Sequence, residues 1–268
     1  MRALAQRAAR VAGEIIRGSQ VRGLRHKGAV DLVTEVDLAC EHAIRELLQR
    51  ETPDIPVVGE ELSAHAALPA TCWIVDPLDG TTNFVHGFPS YCVSVALRAE
   101  GRLEAGCVYD VVRAVSYSAQ LGRGATADGQ RLAVSTCVDL NDALLASGFP
   151  YDRRERAEFY LAYFQAFMER AQGLRRAGAA ALDLAWVAEG RLDGFWEFGL
   201  QPWDIAAGAL LIHEAGGRSS DLEGGALELS GRRILASNGH IHDAMAEVIA
   251  RVTAAGRDRI SDQPRSKT

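Results

Sequence analysis

Apolar residues recur at helical spacing from the start of the chain: Leu4, Ala8, Val11, Ala12, Ile15 and Ile16 predict an amphipathic first helix. A polar loop with Gly23, His26, Lys27 and Gly28 leads to a second helix, striped by Val36, Cys40, Ile44, Leu47 and Leu48. The apolar period then shortens. Ile55 to Val58 and Trp73 to Val75 read as short strands, and Val93 to Leu97, Gly106 to Tyr109 and Val115 to Ala119 follow. Gly122, Gly124 and Asp128-Gly129 punctuate them as turns.

Past Thr136 to Asn141 helices and strands alternate. Strands are expected at Ala143 to Ser147, Leu192 to Phe198 and Ile234 to Ser237. Helices are expected at Glu155 to Gln172, Ala179 to Glu189, Trp203 to Ala215 and Ile241 to Ala254, with Gly216-Gly217 ending the third. The expected class is therefore α/β: an antiparallel-sheet α+β half over 1–138, an α/β half over 139–255 and a polar, disordered tail over 256–268. No internal repeat interrupts this order.

Composition narrows the function classes. The 268 residues are 48% apolar and 24% charged, as in a soluble globular protein of one large domain or two closely joined ones. A formal charge of -6 argues against nucleic acid held on a basic surface. It still admits a phosphorylated substrate, because carboxylates that bind metal ions make a locally positive site. Cys40, Cys72, Cys92, Cys107 and Cys137 show neither CxxC nor zinc spacing, so reduced, mostly buried thiols and a cytoplasmic location are expected. Arg2, Arg7, Arg10 and Glu14 interrupt the first helix, which lacks the apolar core of a secretory signal. No apolar run approaches membrane-spanning length.

The chemistry concentrates in Trp73-Ile74-Val75-Asp76-Pro77-Leu78-Asp79-Gly80-Thr81-Thr82-Asn83-Phe84. An apolar strand ends in two carboxylates, and a Gly-Thr turn follows. A tight turn accounts for Pro77 and Gly80 but not for two acids aimed past a strand end. Hard oxygen donors beside a helix start suit divalent metal ions next to a phosphate.

With Asp31-Leu32-Val33-Thr34-Glu35-Val36-Asp37, Gly59-Glu60-Glu61, Pro202-Trp203-Asp204-Ile205-Ala206-Ala207-Gly208 and Glu214-Ala215-Gly216-Gly217, these motifs resemble, in order and over roughly Leu4 to Val252, the inositol monophosphatase family of metal-dependent phosphomonoesterases. The resemblance implies a layered αβαβα sandwich, a homodimer, lithium sensitivity, and two or three Mg²⁺ ions. It implies Glu60, Asp76, Asp79, Asp204 and the Leu78 carbonyl as metal ligands, and Asp37, Thr81 and Glu60 as the groups that position the attacking water. For the substrate it implies Asp79, Gly80, Thr81, Gly178, Ala179, Ala180, Glu197 and Asp204. The expected reaction is hydrolysis of a small phosphorylated polyol, myo-inositol 1-phosphate first. Histidinol phosphate, fructose 1,6-bisphosphate and 3'-phosphoadenosine nucleotides are alternatives, and a regulatory binding protein on the same fold is an alternative of another class.

Several residues carry a plainer reading beside this one. Asp37 after Thr34 also fits a helix capping box, and Asp204 fits an acid at a helix start. Glu61 is either a solvated turn residue or a support behind Glu60, and Lys27 either a solvated loop lysine or a lid. His240 and His242 read as a solvated helix start, His86 as structural, and Phe159 to Phe167 as core or dimer surface. One departure from the family pattern stands out: Arg176-Ala177-Gly178-Ala179-Ala180 lacks the hydroxyl usually found at Ala179, which bears on substrate choice.

Overall fold

The apolar stripes of the first two helices bury against each other and against a sheet. Helix α1 (Arg2–Gly18) places Ala5, Ala8, Ala9, Ala12 and Ile16 on its buried face. Short strands β1 (Arg25–His26) and β2 (Leu32–Val33) pair antiparallel ahead of α2 (Glu35–Glu51). Thr34 caps α2: its hydroxyl accepts from the amides of Val36 and Asp37, while Asp37 Oδ2 accepts from the Thr34 amide at 2.8 Å. The structure is a computed structural model and describes residues 1–19, 25–26, 32–63 and 68–256. Lys27, Asp31 and the tail beyond Gly256 lie outside the described residues.

A seven-stranded sheet follows: β3 (Val57–Gly59), β4 (Cys72–Asp79), β5 (Cys92–Ala99), β6 (Arg102–Asp110), β7 (Val115–Gln120), β8 (Ala125–Ala127) and β9 (Gln130–Arg131), in that spatial order. Only β3 and β4 run parallel. Strand β4 is buried on both faces. Trp73 and Val75 face α1 and α2, while Cys72 and Ile74 face the opposite core. Double burial explains why its sequence is a continuous apolar run without alternation. The short helix α3 (Thr81–His86) starts directly after it.

The second sheet contains β10 (Leu144–Ser147), β11 (Gly173–Arg175), β12 (Gly194–Phe198), β13 (Arg218–Ser220) and β14 (Arg233–Ser237), ordered β11-β10-β12-β14-β13. Its helices are α4 (Ala157–Met168), α5 (Ala180–Ala188), α6 (Pro202–Glu214) and α7 (His242–Ala254). Helices α5 and α6 lie between the two sheets, and α4 and α7 cover the outer face of the second. The layers thus alternate α, β, α, β, α. Burial on all sides explains why α5 and α6 are apolar around their circumference. Gly106 permits this packing, since a Cβ there would stand 3.1 Å from the Cα of Ala207. The aromatic stripe of α4 belongs to the outer core: Phe167 stacks on Trp196 with ring centroids 4.0 Å apart, and Phe159 meets Phe198 edge-on. Among the described residues no helix is long and apolar enough to cross a membrane.

His242 departs from its expected place as a solvated residue. It is fully buried, with Nε2 2.9 Å from Ser220 Oγ and Nδ1 2.9 Å from Ser237 Oγ. Burial, and then Arg218, lower its pKa to about 4. The unfolded chain protonates this imidazole near pH 6.5 and binds the extra proton first, so stability from the neutral form holds above about pH 6.5 and is lost on descent towards pH 4. In an NMR titration, the His242 ring is expected to stay neutral to about pH 4; a midpoint near 6.5 would contradict its buried role.

Candidate active site

The spacing of Asp76 and Asp79 is odd, so a regular strand would send the two side chains to opposite faces. Strand β4 avoids this with a bulge: Asp76 pairs with Ser94 and Asp79 with Cys92, so one extra residue lies on the β4 side. Both carboxylates then reach the same pocket wall. Pro77 lacks an amide to donate at this irregular point, and the Leu78 amide donates instead to Asp76 Oδ1 at 3.0 Å.

Glu60 enters from the end of β3, where its amide donates to the Val75 carbonyl at 3.2 Å. Asp204 enters from the first turn of α6, and its Oδ2 accepts from the Gln201 amide at 2.7 Å. Ser94 holds that helix start, donating to the Trp203 carbonyl at 3.0 Å. Asp79 Oδ2 accepts from the Ala181 amide at 2.8 Å, so it meets the start of α5, where Ala179 has no hydroxyl for the cap. The plain and the chemical readings of Asp204 thus hold together: one oxygen serves the helix and the side chain still lines the pocket.

Glu60, Asp76, Leu78, Asp79, Gly80, Thr81, Gly178, Ala180, Glu197 and Asp204 all line one cavity of about 680 Å³. Ala179 lies just behind it, buried against Gly80. Burial pushes Asp76 well above the usual carboxylate range, and the charges of Glu60, Asp79 and Asp204 push it further. Burial lifts Asp79 to about 6, against the amides at the start of α5. Burial and then Asp79 lift Asp204 to about 7. Such mutual repulsion is what a hard divalent cation relieves, and an all-oxygen donor set fits Mg²⁺ rather than a thiolate-seeking metal. Among the described residues, no three His, Cys, Asp or Glu side chains already close into a coordination shell. The helix-start hydrogen bonds of Asp79 and Asp204 turn one oxygen of each aside.

Asp37 is buried and serves two partners. Its Oδ2 closes the α2 cap and its Oδ1 accepts from Thr81 Oγ1 at 2.9 Å. The same hydroxyl lies 3.0 Å from the Leu78 carbonyl. Its single hydrogen serves one of these acceptors at a time.

Four residues with no role assigned from the motifs, Glu41, Arg45, Asn83 and Arg176, also shape the site. Glu41 is fully buried on α2, pairs with Arg45 at 2.7 Å and accepts from the Glu61 amide at 2.7 Å. A side chain at Gly59 would collide with this carboxylate. Glu41 and Arg45 therefore set the turn that presents Glu60. Asn83 donates to the carbonyls of Ser90 and Ala177 at 2.6 and 2.8 Å, tying α3 to the Gly178 loop. Arg176 lines the cavity, and its charge partly offsets the burial that pushes the Glu197 carboxyl up.

Comparison with known proteins decides what this arrangement belongs to. The model of the inositol monophosphatase family matches residues 1–254. The chain belongs to the inositol monophosphatase family. Its relatives include the Nus factor SuhB of Pseudomonas aeruginosa, 45% identical over 255 residues, which cover 92% of this chain and 94% of that protein. They also include the inositol-1-monophosphatase of Rhizobium meliloti, 44% identical over 226 residues, covering 84% of this chain and 85% of that one. The solved inositol monophosphatase from Anabaena superposes with a TM-score of 0.86 at 37% identity, over 93% of this chain and 95% of that one. Membership of the inositol monophosphatase family accounts for the layered fold and for the order of the motifs along it.

Proposed function

We propose that the chain hydrolyses a small phosphate monoester with Mg²⁺, and that myo-inositol 1-phosphate is the first candidate. The observation that carries this reading is the meeting of four carboxylates from β3, β4 and α6 on one wall, beside the Thr81–Asp37 pair. Two or three Mg²⁺ ions held by Glu60, Asp76, Asp79, Asp204 and the Leu78 carbonyl would neutralise phosphoryl oxygens, acidify a water and stabilise a departing alkoxide.

The chain's own residues do the rest. When Thr81 Oγ1 donates to Asp37 Oδ1 rather than to the Leu78 carbonyl, its oxygen is free to accept a hydrogen from the attacking water. The water's proton passes to Thr81 Oγ1 as the threonine proton passes to Asp37 Oδ1. Burial, which raises the Asp37 pKa, favours that transfer. The water oxygen bonds to phosphorus in line with the breaking ester bond, a second water protonates the alkoxide, and the proton held at Asp37 returns through Thr81 to neutralise the hydroxide left behind. The amides of Gly80 and Thr81 receive the phosphate, and Glu197 with Asp204 receives the polyol hydroxyls. Thr81→Ala is expected to lower kcat about 10²- to 10⁴-fold with little change in KM, while Thr81→Ser keeps most of the rate. Equal rates for Thr81→Ala and the parent would remove Thr81 from the mechanism.

Initial rates on inositol 1-phosphate and histidinol phosphate, measured side by side, test the substrate. Preference for histidinol phosphate would keep the chemistry and move the chain to another pathway. The same family resemblance favours a homodimer and a cytoplasmic location; light scattering tests the dimer, and cell fractionation the location. The name Nus factor SuhB on a relative favours one further reading, a binding role on the same fold. Full complementation by a hydrolytically dead Asp76→Asn variant, in cells lacking the chain, would favour that role.

A further inference from the structure

Strand β5 runs beside the bulged end of β4 and presents alternate residues to the same side. Two of them meet the site. Ser94, opposite Asp76, donates to the Trp203 carbonyl and holds the start of the helix that carries Asp204. Cys92, opposite Asp79, has its Sγ 3.6 Å from Asp79 Oδ2. The bulge that brings Asp79 onto the pocket wall therefore also brings its carboxylate against a thiol.

Cys92 is fully buried in the core between the two sheets. A small apolar residue would fill that space as well, and what the thiol adds is a donor. A thiol keeps its hydrogen at neutral pH, and burial beside Asp79, Asp76 and Asp110 strengthens that hold. The same Asp79 oxygen also accepts from the Ala181 amide at 2.8 Å. Helix α5 has no side-chain cap of its own at Ala179, so Asp79 closes its start from 102 residues earlier in the chain. Oδ2 is thus gripped from two layers, by β5 and by α5. A carboxylate with one oxygen held in this way offers its other oxygen to a metal at a fixed place, and less freedom is lost on binding.

We propose that Cys92 is a positioning residue: its thiol, with the Ala181 amide, fixes Asp79 Oδ2 so that Oδ1 serves the divalent ion. The metal half of this rests on the Mg²⁺-dependent reading above; the contact between Cys92 and Asp79 does not.

Calorimetric titration of Mg²⁺ into chelator-stripped protein tests it in the parent, Cys92→Ala and Cys72→Ala. Cys72 is as deeply buried in the same core, at the opposite end of β4, and its Sγ donates to the Pro69 carbonyl at 3.5 Å. Its loss opens a like cavity away from the carboxylates. Mg²⁺ affinity is expected to fall about tenfold in Cys92→Ala and to stay unchanged in Cys72→Ala. The Mg²⁺ needed for half-maximal phosphate release should rise by the same factor, with kcat at saturating Mg²⁺ kept. Equal affinity in Cys92→Ala and the parent, or an equal loss in Cys72→Ala, overturns the proposal. If the parent binds no Mg²⁺, the metal reading falls and the contact is judged by the infrared S–H stretch. The difference spectrum between the parent and Cys92→Ala isolates that band. A band below the free-thiol position that returns to it in Asp79→Ala supports the contact, and a band at the free-thiol position in the parent overturns it.

Discussion

Asp76→Asn is expected to lower Mg²⁺-dependent phosphate release by about 10³-fold or more, the loss of about 4 kcal/mol of transition-state stabilisation. It is also expected to make the metal-free protein more stable. Asp76 is buried, and its pKa is raised by burial and by the charges of Glu60, Asp79 and Asp204. A carboxylate whose folded pKa lies above its unfolded value near 3.9 binds its proton more tightly in the folded state. Its contribution is therefore full below about pH 4 and is lost as pH rises through the folded range, which reaches about 6 at Asp79 and about 7 at Asp204. Metal-free parent protein should lose stability over that interval, and Asp76→Asn should lose less. Calorimetry with EDTA and with Mg²⁺ reads both effects. The parent gains Tm on adding Mg²⁺, and the variant gains little. A variant whose Tm rises with Mg²⁺ as far as the parent's would show that the ions do not depend on Asp76.

Glu41→Ala is expected to cost about 3 kcal/mol of folding stability, as when one partner of a buried ion pair is removed. The parent carboxylate is fully buried and answers Arg45 together with the amides of Glu61 and Leu62. Arg45 in turn donates to the Val57 carbonyl and to Ser63 Oγ. Loss of Glu41 thus leaves a half-buried cation and a loosened turn at Glu60. Urea unfolding should show the lower stability, and phosphate release should need more Mg²⁺ for half-saturation. A stability loss under about 0.5 kcal/mol, as at an exposed surface position, would show that water replaces Glu41 without strain.

The carboxylates that meet in the cavity were legible because they lie in short contiguous motifs. Asp76 and Asp79 are set by one strand end, and Asp37 and Asp204 by helix starts whose capping pattern is local. The apolar spacing that marked the helices and strands reflects faces buried against neighbouring layers, so the αβαβα order followed from the same pattern and the family resemblance. What was not legible depends on partners distant in sequence. Glu41 lies on the buried side of α2, but the amides it receives come from the turn after β3. The serines that enclose His242 lie on β13 and β14, so its burial left no local trace. The bulge in β4 appears only against the register of β5. Helix α4 is shorter than expected: a turn seated on the Asp152 carbonyl precedes it, and a turn on the Phe167 carbonyl ends it.

The most direct measurement is phosphate release from myo-inositol 1-phosphate by chelator-stripped protein as Mg²⁺ is titrated in. The account predicts no release with EDTA, saturable release with Mg²⁺, and release lower by about 10³-fold or more from Asp76→Asn at every Mg²⁺ concentration. Release that persists in EDTA, or that survives Asp76→Asn undiminished, would contradict it.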